Sequence, residues 1–524
     1  MDEVTLDGTT LTLAAVATVA GAGAVRLRLD AAARARILAA RRVVEKAVEA
    51  GQRIYGVTTG FGRLADVVIS TDQQATLQRN LVRSHAAGVG EPLAREEVRA
   101  LMLLRANALA RGNSGCREDA VDLLLRMLER GVHPVVPEAG SVGASGDLGP
   151  LAHVALALMG EGSVDLDGER MAAADGLAAA GLVPLRLEAK EGLALINGTQ
   201  ATTGVGLLAL LRTEAALEAA ECAGAMSLEA LEGTPEAFRP EVGGVRPHPG
   251  QVRSAERLLR LLRDSEIRES HRVGDPRIQD AYSLRCMPQV HGAARQGLAY
   301  VRSVLEVEVN SATDNPLILP DTGEVVSAGN FHAQIVAQAL DLLCIAAADV
   351  AAISERRVER LLNPDLSQGL PAFLAGSPGL ESGFMIAQVT AADLLAEMRV
   401  LAHPASVDTV PTSANREDHV SMGMAAARKA RRVARCLEHV ISVELLCAAQ
   451  GLEHRRPLKA GVGVERAHAA LRRRVPPLEG DRPLIGDLEA VRALLLKGAF
   501  GPDATDARLD GEIDGVLTGP GRTT

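Results

Sequence analysis

The sequence contains no tryptophan, and aromatic residues make up only 2% of its 524 positions. Hydrophobic residues nevertheless account for 47% of the chain, which is enough for a sizeable core. Leucine, valine, isoleucine and alanine must therefore fill that core, and such compact side chains let helices pack closely. The composition favours a large helical protein.

The chain also lacks a surplus of positive charge. Its 56 lysine and arginine residues are outnumbered by 66 aspartate and glutamate residues, for a formal net charge of -10. The charges form no long blocks of one sign, so no basic face is available for a phosphate backbone. We therefore do not expect nucleic acid as a partner.

Cysteine is scarce as well. The six cysteines are scattered along the chain without a Cys-x-x-Cys pair: Cys116, Cys222, Cys286, Cys344, Cys436 and Cys447. This spacing is typical of neither a disulfide scaffold nor a zinc site. We expect free thiols in a reducing, cytoplasmic compartment, and we expect no bound metal.

No segment has the features of a signal peptide or of a membrane span. The chain opens with acidic MDEV and has no positive flank before its first apolar run. The longest apolar run, residues 335–353, carries Asp341 and Asp349, and a charge inside a bilayer is costly. We expect this run to form a buried helix, and we expect no contact with a membrane.

Helical periodicity dominates the sequence. Asp30 is placed to cap a first helix. The predicted apolar face of that helix consists of Ile37, Leu38, Val44, Ala47 and Val48. Longer helices are predicted near residues 203–232, 288–310, 332–362, 384–402 and 417–450. Asn363-Pro364 and His403-Pro404 are expected to end two of them, because proline disfavours helix in the residue before it.

These patterns predict a mainly α fold built around a bundle of long helices. We divide the chain into a mixed, loop-rich α/β N-terminal part, residues 1–115, and a helical-bundle domain, residues 116–524. Two short β-like pieces, residues 5–13 and 162–171, predict hairpins at the periphery.

The most unusual stretch is PEAGSVGASGDLGPLAHVALALMGEG, residues 137–162. It is not a Walker-type phosphate loop, because it contains no lysine. It is not a dinucleotide fingerprint either, because its glycines recur at every third residue. A flexible turn ahead of a helix is the simplest interpretation. A chemical interpretation is available for the Ala144-Ser145-Gly146 tripeptide inside it.

An Ala-Ser-Gly tripeptide held in a tight bend can form a ring. The Gly146 nitrogen attacks the Ala144 carbonyl carbon, and two waters are lost, one of them taking the Ser145 hydroxyl. The product is an imidazolone with an exocyclic methylidene group. Glycine permits this approach because no side chain blocks its nitrogen. Asp147, the next residue, is either the N-cap of the following helix, an aid to the cyclisation, or both.

The segment GSVGASGDLGPLAHVALALMGEG resembles the signature of the aromatic amino acid ammonia-lyase family, which builds a methylidene-imidazolone from Ala-Ser-Gly. Seven more segments resemble that family: YGVTTGFG, NLVRSHAAGVGEPL, EGLALINGTQATTG, QDAYSLRCMPQVHG, NSATDNP, GNFHA and AHPASVDTVPTSANREDHVSMG. The resemblance implies a helical core of the ammonia-lyase and fumarase type. It also implies a prosthetic group formed autocatalytically from Ala144, Ser145 and Gly146, with no external cofactor.

The resemblance assigns roles to single side chains that would otherwise be ordinary core, cap or surface residues. Tyr55, in a glycine-flanked loop, is the expected base for the β-proton of the substrate. Arg285 is expected to bind the substrate carboxylate. Asp147 is expected to assist formation of the prosthetic group. The other expected site residues are Asn197, Gln279, Tyr282, Asn315 and Phe331.

The expected substrate depends on Ser84 and His85, which match the Ser-His pair of family members that act on histidine. The imidazole of His85 can hydrogen-bond a substrate imidazole. By the same resemblance, Glu397 is expected near that imidazole, either to bind its N–H or to share proton transfer with Tyr55. The expected reaction is the elimination of ammonia from L-histidine to give trans-urocanate. The alternatives are a tyrosine or phenylalanine lyase, an aminomutase with the same electrophile, or a catalytically inactive helical scaffold.

Two places depart from the family pattern. An apolar residue is more usual at the position of His291, and Glu-Pro is more usual at Gln334-Ile335. They bear on the substrate range and not on the fold. Members of the family are homotetramers with active sites shared among subunits, and we expect the same assembly here.

Overall fold

The structure is a computed structural model, and it describes residues 3–506. Its contacts define two compact units. Unit 1 comprises Met1–Arg212, Gly297–Ala348 and Glu397–Arg435, and unit 2 comprises Thr213–Gln296, Asp349–Ala396 and Cys436–Thr524. The predicted boundary at residue 115 stays a prediction.

Most of the described chain is α-helical, as the composition and periodicity predict. The helices are α1 (Leu13–Gly21), α2 (Ala31–Glu49), α3 (Gln74–His85), α4 (Arg95–Ala110), α5 (Glu118–Arg130), α6 (Leu148–Leu158), α7 (Ala173–Ala179), α8 (Glu191–Ile196), α9 (Gln200–Ala230), α10 (Pro240–Gly244), α11 (Pro249–Leu261), α12 (Glu266–Ser270), α13 (Tyr282–Arg285), α14 (Met287–Glu308), α15 (Gln334–Leu362), α16 (Met385–Leu401), α17 (Gly423–Glu453), α18 (Val462–Arg472), α19 (Ile485–Leu496) and α20 (Pro502–Thr505).

The five long helices predicted from periodicity are confirmed as α9, α14, α15, α16 and α17. Each of them supplies residues to both units. α15 ends at Leu362, immediately before Asn363-Pro364, and α16 ends at Leu401, shortly before His403-Pro404. Proline therefore sets both ends, as its effect on the preceding residue requires.

α2 shows how a capping residue and an apolar face define one helix. The Asp30 carboxylate accepts hydrogen bonds from the backbone N–H groups of Ala32 and Ala33, at 2.8 and 3.1 Å. Ile37 and Val44 are buried. Leu38 is 41% exposed, so its place on the predicted apolar face was wrong. One step along a helix turns a side chain by roughly 100°, which carries Leu38 past the buried face.

The strands of the described residues are short. They are β1 (Glu3–Leu6), β2 (Arg26–Leu29), β3 (Val89–Pro92), β4 (His133–Pro134), β5 (Pro137–Ala139), β6 (Ser163–Leu166), β7 (Glu169–Ala172), β8 (Leu317–Leu319) and β9 (Glu324–Val326). β6 pairs with β7 in antiparallel fashion, which confirms the hairpin predicted over residues 162–171. The hairpin predicted over 5–13 is wrong, because β1 pairs with β2 in parallel across the intervening α1.

Among the described residues, only α15 is long and apolar enough to cross a membrane, and 67% of its most apolar window is buried inside the protein. Its Asp341 carboxylate is buried. That carboxylate pairs with the Lys429 ammonium at 2.7 Å and accepts the backbone N–H of Ser406 at 2.8 Å. The charge in this apolar run is thus neutralised by a lysine inside unit 1.

The six cysteines are free, as expected from their spacing, and five of them are buried. Burial raises the pKa of the Cys116 thiol to about 12. It likewise raises the pKa of Cys222 and Cys344 to about 12. These thiols stay protonated near neutral pH and act as small apolar side chains in the core.

Candidate active site

The glycine-rich stretch ends in a turn, just before α6, that leaves no room for a side chain at Gly146. The φ angle of Gly146 is 72°. A Cβ at this position would lie only 2.2 Å from the carbonyl oxygen of Gly198. The backbone N–H of Asp147 donates to the same oxygen at 2.6 Å. The Ala144-Ser145-Gly146 tripeptide is therefore bent tightly against the segment that carries Gly198.

A carboxylate lies on the other side of the tripeptide. The Ser145 hydroxyl donates a hydrogen bond to Glu417 Oε1 at 2.9 Å. Glu417 Oε2 accepts hydrogen bonds from the hydroxyls of Thr412 and Ser413, at 2.6 and 3.0 Å. Glu417 carries no signal of its own in the sequence, because it is one acid in a polar loop. Its contact with the one hydroxyl that cyclisation must remove makes it a candidate functional residue.

Asp147 occupies the position before α6, but its carboxylate does not cap that helix. It accepts hydrogen bonds from the backbone N–H and the hydroxyl of Thr202, at 2.7 and 2.8 Å, and from Ser141 Oγ at 3.2 Å. Burial raises the pKa of Asp147, and these hydrogen bonds act in the opposite direction. Asp147 therefore occupies the N-cap position without a side-chain cap, and its carboxylate ties the tripeptide to the start of α9.

Asn197 lies at the end of α8, directly before Gly198, and is buried. Its Nδ2 atom donates to the backbone oxygen of Asn315 at 3.1 Å. Its Oδ1 atom is buried and has no hydrogen-bond partner among the described residues. A buried acceptor without a partner is costly. The position is therefore suited to a donor from a bound molecule, such as an amine.

The loop that carries Tyr55 lies next to the loop that carries Glu417. The backbone N–H of Gly62 donates to the Tyr55 phenolic oxygen at 3.0 Å, and the Phe61 ring packs edge-on to Tyr55. A Cβ at Gly62 would lie 3.7 Å from Ser413 Cβ, and Ser413 is hydrogen-bonded to Glu417. The structure therefore brings the predicted base to the same region as the tripeptide.

His85 is the last residue of α3. Its Nδ1 atom lies 2.8 Å from the backbone oxygen of Leu81 and 3.1 Å from Ser84 Oγ. A proton on Nδ1 satisfies the Leu81 oxygen and leaves Nε2 as an acceptor. The chain after α3 reaches the glycine-rich stretch, since a Cβ at Gly140 would lie 3.0 Å from the Gly88 Cα.

Asn315 and Phe331 also belong to unit 1. Besides holding Asn197 through its backbone oxygen, Asn315 accepts the backbone N–H of Ala328 at its Oδ1, at 2.8 Å. Phe331 is half-buried in the turn before α15. Asn315 thus ties the loop before Phe331 to the loop that holds Asn197.

Glu397 lies on α16 and forms a two-pronged ion pair with Arg432, with N–O distances of 2.7 and 2.8 Å. Both side chains are partly exposed. The pair holds the carboxylate at a defined place on the helix surface. The predicted role of Glu397 near a substrate imidazole stays a prediction.

Gln279, Tyr282 and Arg285 belong to unit 2, whereas the tripeptide and the other site residues lie in unit 1. Gln279 is exposed, and Tyr282 is 72% exposed. The Arg285 guanidinium stacks on the Tyr282 ring, 4.6 Å from its centroid. This arrangement presents a cation and a phenol together at the surface of unit 2.

His291, which departs from the family pattern, is completely buried on α14. Neither ring nitrogen has a hydrogen-bond partner within the described part of the chain. Burial holds its pKa well below the usual value, and the cations of Arg357, Arg295 and Arg257 add to that effect. The residue is a neutral imidazole inside unit 2.

Comparisons with known proteins identify the family. Residues 11–473 match the sequence model of the family described as aromatic amino acid lyase. The chain is 57% identical over 508 residues to a histidine ammonia-lyase of Anaeromyxobacter sp. (strain K), covering 95% of this chain and 100% of that protein. It is 55% identical over 493 residues to a histidine ammonia-lyase of Stigmatella aurantiaca, covering 94% and 96%.

Solved structures give the same result. A histidine ammonia-lyase from Trypanosoma cruzi superposes with a TM-score of 0.89 at 42% identity, covering 99% of this chain and 100% of that one. A tyrosine aminomutase from Streptomyces globisporus superposes with a TM-score of 0.89 at 40% identity, covering 95% and 97%. The fold, the family model and these relatives define an ammonia-lyase. The chain belongs to the aromatic amino acid lyase family.

Proposed function

We propose that this protein eliminates ammonia from L-histidine to give trans-urocanate. The observation that carries the proposal is the contact of the Ser145 hydroxyl with Glu417 in a tripeptide bent against Gly198. The relatives named histidine ammonia-lyase support the choice of histidine, at 57% and 55% identity over nearly the whole chain.

The residues present fit a methylidene-imidazolone formed from Ala144, Ser145 and Gly146. Gly146 has no space for a Cβ, and Ala144 is nearly buried at 6% exposure, so the backbone is constrained and shielded from water. Once formed, the group would supply an electrophile that makes the substrate amine or ring easier to activate. Asp147 holds the adjoining backbone, and Glu417 stands where a proton must reach the departing serine hydroxyl.

The substrate would be oriented by charge and by directed hydrogen bonds. The unpaired Asn197 Oδ1 is suited to accept from the substrate ammonium. His85 Nε2 is free to accept from the imidazole N–H of the substrate, and Glu397 is proposed as a second polar contact of that ring. Arg285 would bind the carboxylate through its planar guanidinium.

Tyr55 is proposed to take the β-proton. The hydrogen bond from the Gly62 N–H fixes its phenolic oxygen at the loop next to Glu417. That oxygen is the only polar atom of the side chain, so it is the atom that receives the proton. Phe331 would pack beside the prosthetic group, while Gln279 and Tyr282 would complete the polar rim of the site.

We also propose a cytoplasmic homotetramer with shared active sites. Large apolar side chains are exposed along the long helices: Tyr300, Val307, Ile335, Ile345, Ile386, Val389 and Val400. Exposed apolar side chains of this size are typical of an interface with another subunit. The exposed Tyr282 and the partly exposed Arg285 of unit 2 are then available to complete the site of a neighbouring subunit.

The test is incubation of the purified protein with L-histidine, L-tyrosine or L-phenylalanine in separate reactions. Urocanate absorbance and ammonia should appear with histidine alone. Turnover of tyrosine without turnover of histidine would instead support a tyrosine lyase or an aminomutase, the activity named for the Streptomyces globisporus neighbour.

A further inference from the structure

Arg105 on α4 is a buried cation whose side chain ends at the segment between Ala194 and Gln200. It is 1% exposed. Its Nη1 atom donates to the backbone oxygen of Asn197 and to Gln200 Oε1, both at 2.8 Å. Its Nη2 atom donates to the backbone oxygen of Ala194. One guanidinium therefore holds three oxygens of a single short segment.

This arginine has no carboxylate in salt-bridge contact among the described residues. Burial lowers its pKa, while the more distant Asp314 carboxylate acts in the opposite direction. Asp314 itself pairs with the buried Lys190 ammonium at 2.9 Å. Burying a charge that lacks an ion-pair partner is costly. A role in stability alone gives no reason to place a cation here.

The three oxygens lie where α8 ends and the site begins. Helix-terminal carbonyls lack partners inside the helix and carry partial negative charge, which a cation stabilises. The fork of an arginine can satisfy several such oxygens at once, whereas a lysine presents a single point of charge. Arg105 thus fixes the backbone of Asn197, while Asn315 fixes the amide of the same residue.

The same guanidinium also lies against Gly198. A Cβ at Gly198 would be 2.4 Å from Arg105 Nη1 and 2.4 Å from Gln200 Oε1. On its other side, Gly198 offers the oxygen that lies against Gly146 and accepts the Asp147 N–H. Movement of Arg105 would therefore release Gly198 from the tripeptide.

We propose that Arg105 is a positioning residue, which directs Asn197 Oδ1 toward the substrate amine and keeps Gly198 against the cyclising tripeptide. The role in directing Asn197 rests on the proposed function. The role in keeping Gly198 in place concerns formation of the prosthetic group, which intact mass reports without any substrate.

The test compares Arg105→Gln with Arg99→Gln in the full-length assembled protein. Arg99 is a matched control, because it is equally buried on the same helix and bonds to the backbone oxygens of Val19 and Leu128, away from the site. Both variants should lose thermal stability. Only Arg105→Gln should mature incompletely. Intact mass should then show a fraction of the chain that has not lost the two waters released by cyclisation.

Turnover separates positioning from a merely structural role. Per matured subunit, Arg105→Gln should lower kcat for L-histidine by about 100-fold, the scale of a misplaced reacting group. The change should be much smaller in an Asn197→Ala background, because the residue that Arg105 positions is already missing. Arg105→Lys should restore part of the loss.

The proposal is overturned if Arg105→Gln matures completely and its kcat stays within about twofold of the parent, a difference too small to reflect lost positioning. It is also overturned if Arg99→Gln shows the same defects, or if neither Arg105 variant folds while Arg99→Gln does. If the parent protein matures but leaves histidine unchanged, the proposed substrate fails and the maturation comparison still decides the role of Arg105.

Discussion

The Ser145 hydroxyl donates to the Glu417 carboxylate across 2.9 Å, although 272 positions separate the two residues in the chain. The carboxylate also accepts hydrogen bonds from the hydroxyls of Thr412 and Ser413. These donors hold it in one orientation. A group that can exchange a proton is therefore fixed beside the hydroxyl that must depart as water.

Replacing Glu417 by Gln should leave the fold intact, since the amide oxygen can still accept hydrogen bonds. It should slow maturation, because an amide cannot deliver a proton to the departing Ser145 hydroxyl. It should also lower kcat by about 100-fold or more, because an amide cannot act as an acid or base. Urocanate formation and intact mass measure the two effects separately. Parent-like maturation and turnover would show that the carboxylate is only structural.

Ser145→Ala should abolish maturation, because the methylidene carbon derives from the serine side chain. Intact mass should show the full chain with no loss of water, and turnover of L-histidine should be lost. Ser303→Ala is a suitable control, because that exposed hydroxyl bonds only to the backbone oxygen of Tyr300. A matured, active Ser145→Ala protein would refute the assignment of the tripeptide.

Gly146→Ala should also block maturation. Its new methyl group would lie 2.2 Å from the Gly198 oxygen, and the φ of 72° is unfavourable for alanine. Gly21→Ala is the matched control, because no atom lies within 4 Å of the added carbon. Intact mass should remain unchanged in the first variant and show the loss of two waters in the second.

Tyr55→Phe should fold and mature normally, because the ring keeps its packing on Phe61. Turnover should fall by about 100-fold or more, since the proton acceptor is missing. Tyr300→Phe, at a tyrosine 46% exposed on α14, should keep parent-like activity. Equal rates for the parent and Tyr55→Phe would assign the base to another residue.

His291→Leu should make the free energy of unfolding less dependent on pH in the acidic range. The buried imidazole has a pKa far below its usual value, so the unfolded chain binds a proton there that the folded chain does not. Its contribution to stability is present above the unfolded pKa and is lost as the pH falls below it. Between pH 6.5 and 5.5 that loss is about 1 kcal/mol.

Thermal unfolding of the parent and His291→Leu at pH 7.5, 6.5 and 5.5 measures this difference. The parent should lose more stability than the variant on acidification. The other histidines are the same in both proteins, so their contribution cancels in this comparison. Parallel pH profiles for the two proteins would mean that His291 is protonated, or reached by water, in the folded state.

Local patterns predicted most of the secondary structure. The long helices follow from apolar residues repeated at helical spacing, and α15 and α16 end where proline follows. Strand pairing between distant segments was not predicted correctly from the local sequence pattern. β1 resembles one half of a hairpin, yet it pairs in parallel with β2, which follows α1 in the chain. A local pattern does not identify a partner beyond an intervening helix.

The chain by itself determined that a cyclisable Ala-Ser-Gly tripeptide precedes an apolar helix, because that chemistry needs only adjacent backbone atoms and the absence of a side chain at Gly146. Only the tertiary structure decided what surrounds the tripeptide. Glu417 and Gly198 reach it from two distant segments, and Arg105 holds the backbone beside Gly198 from a third. Their meeting depends on how the helices pack, and packing is set by the whole core and not by any one stretch of sequence.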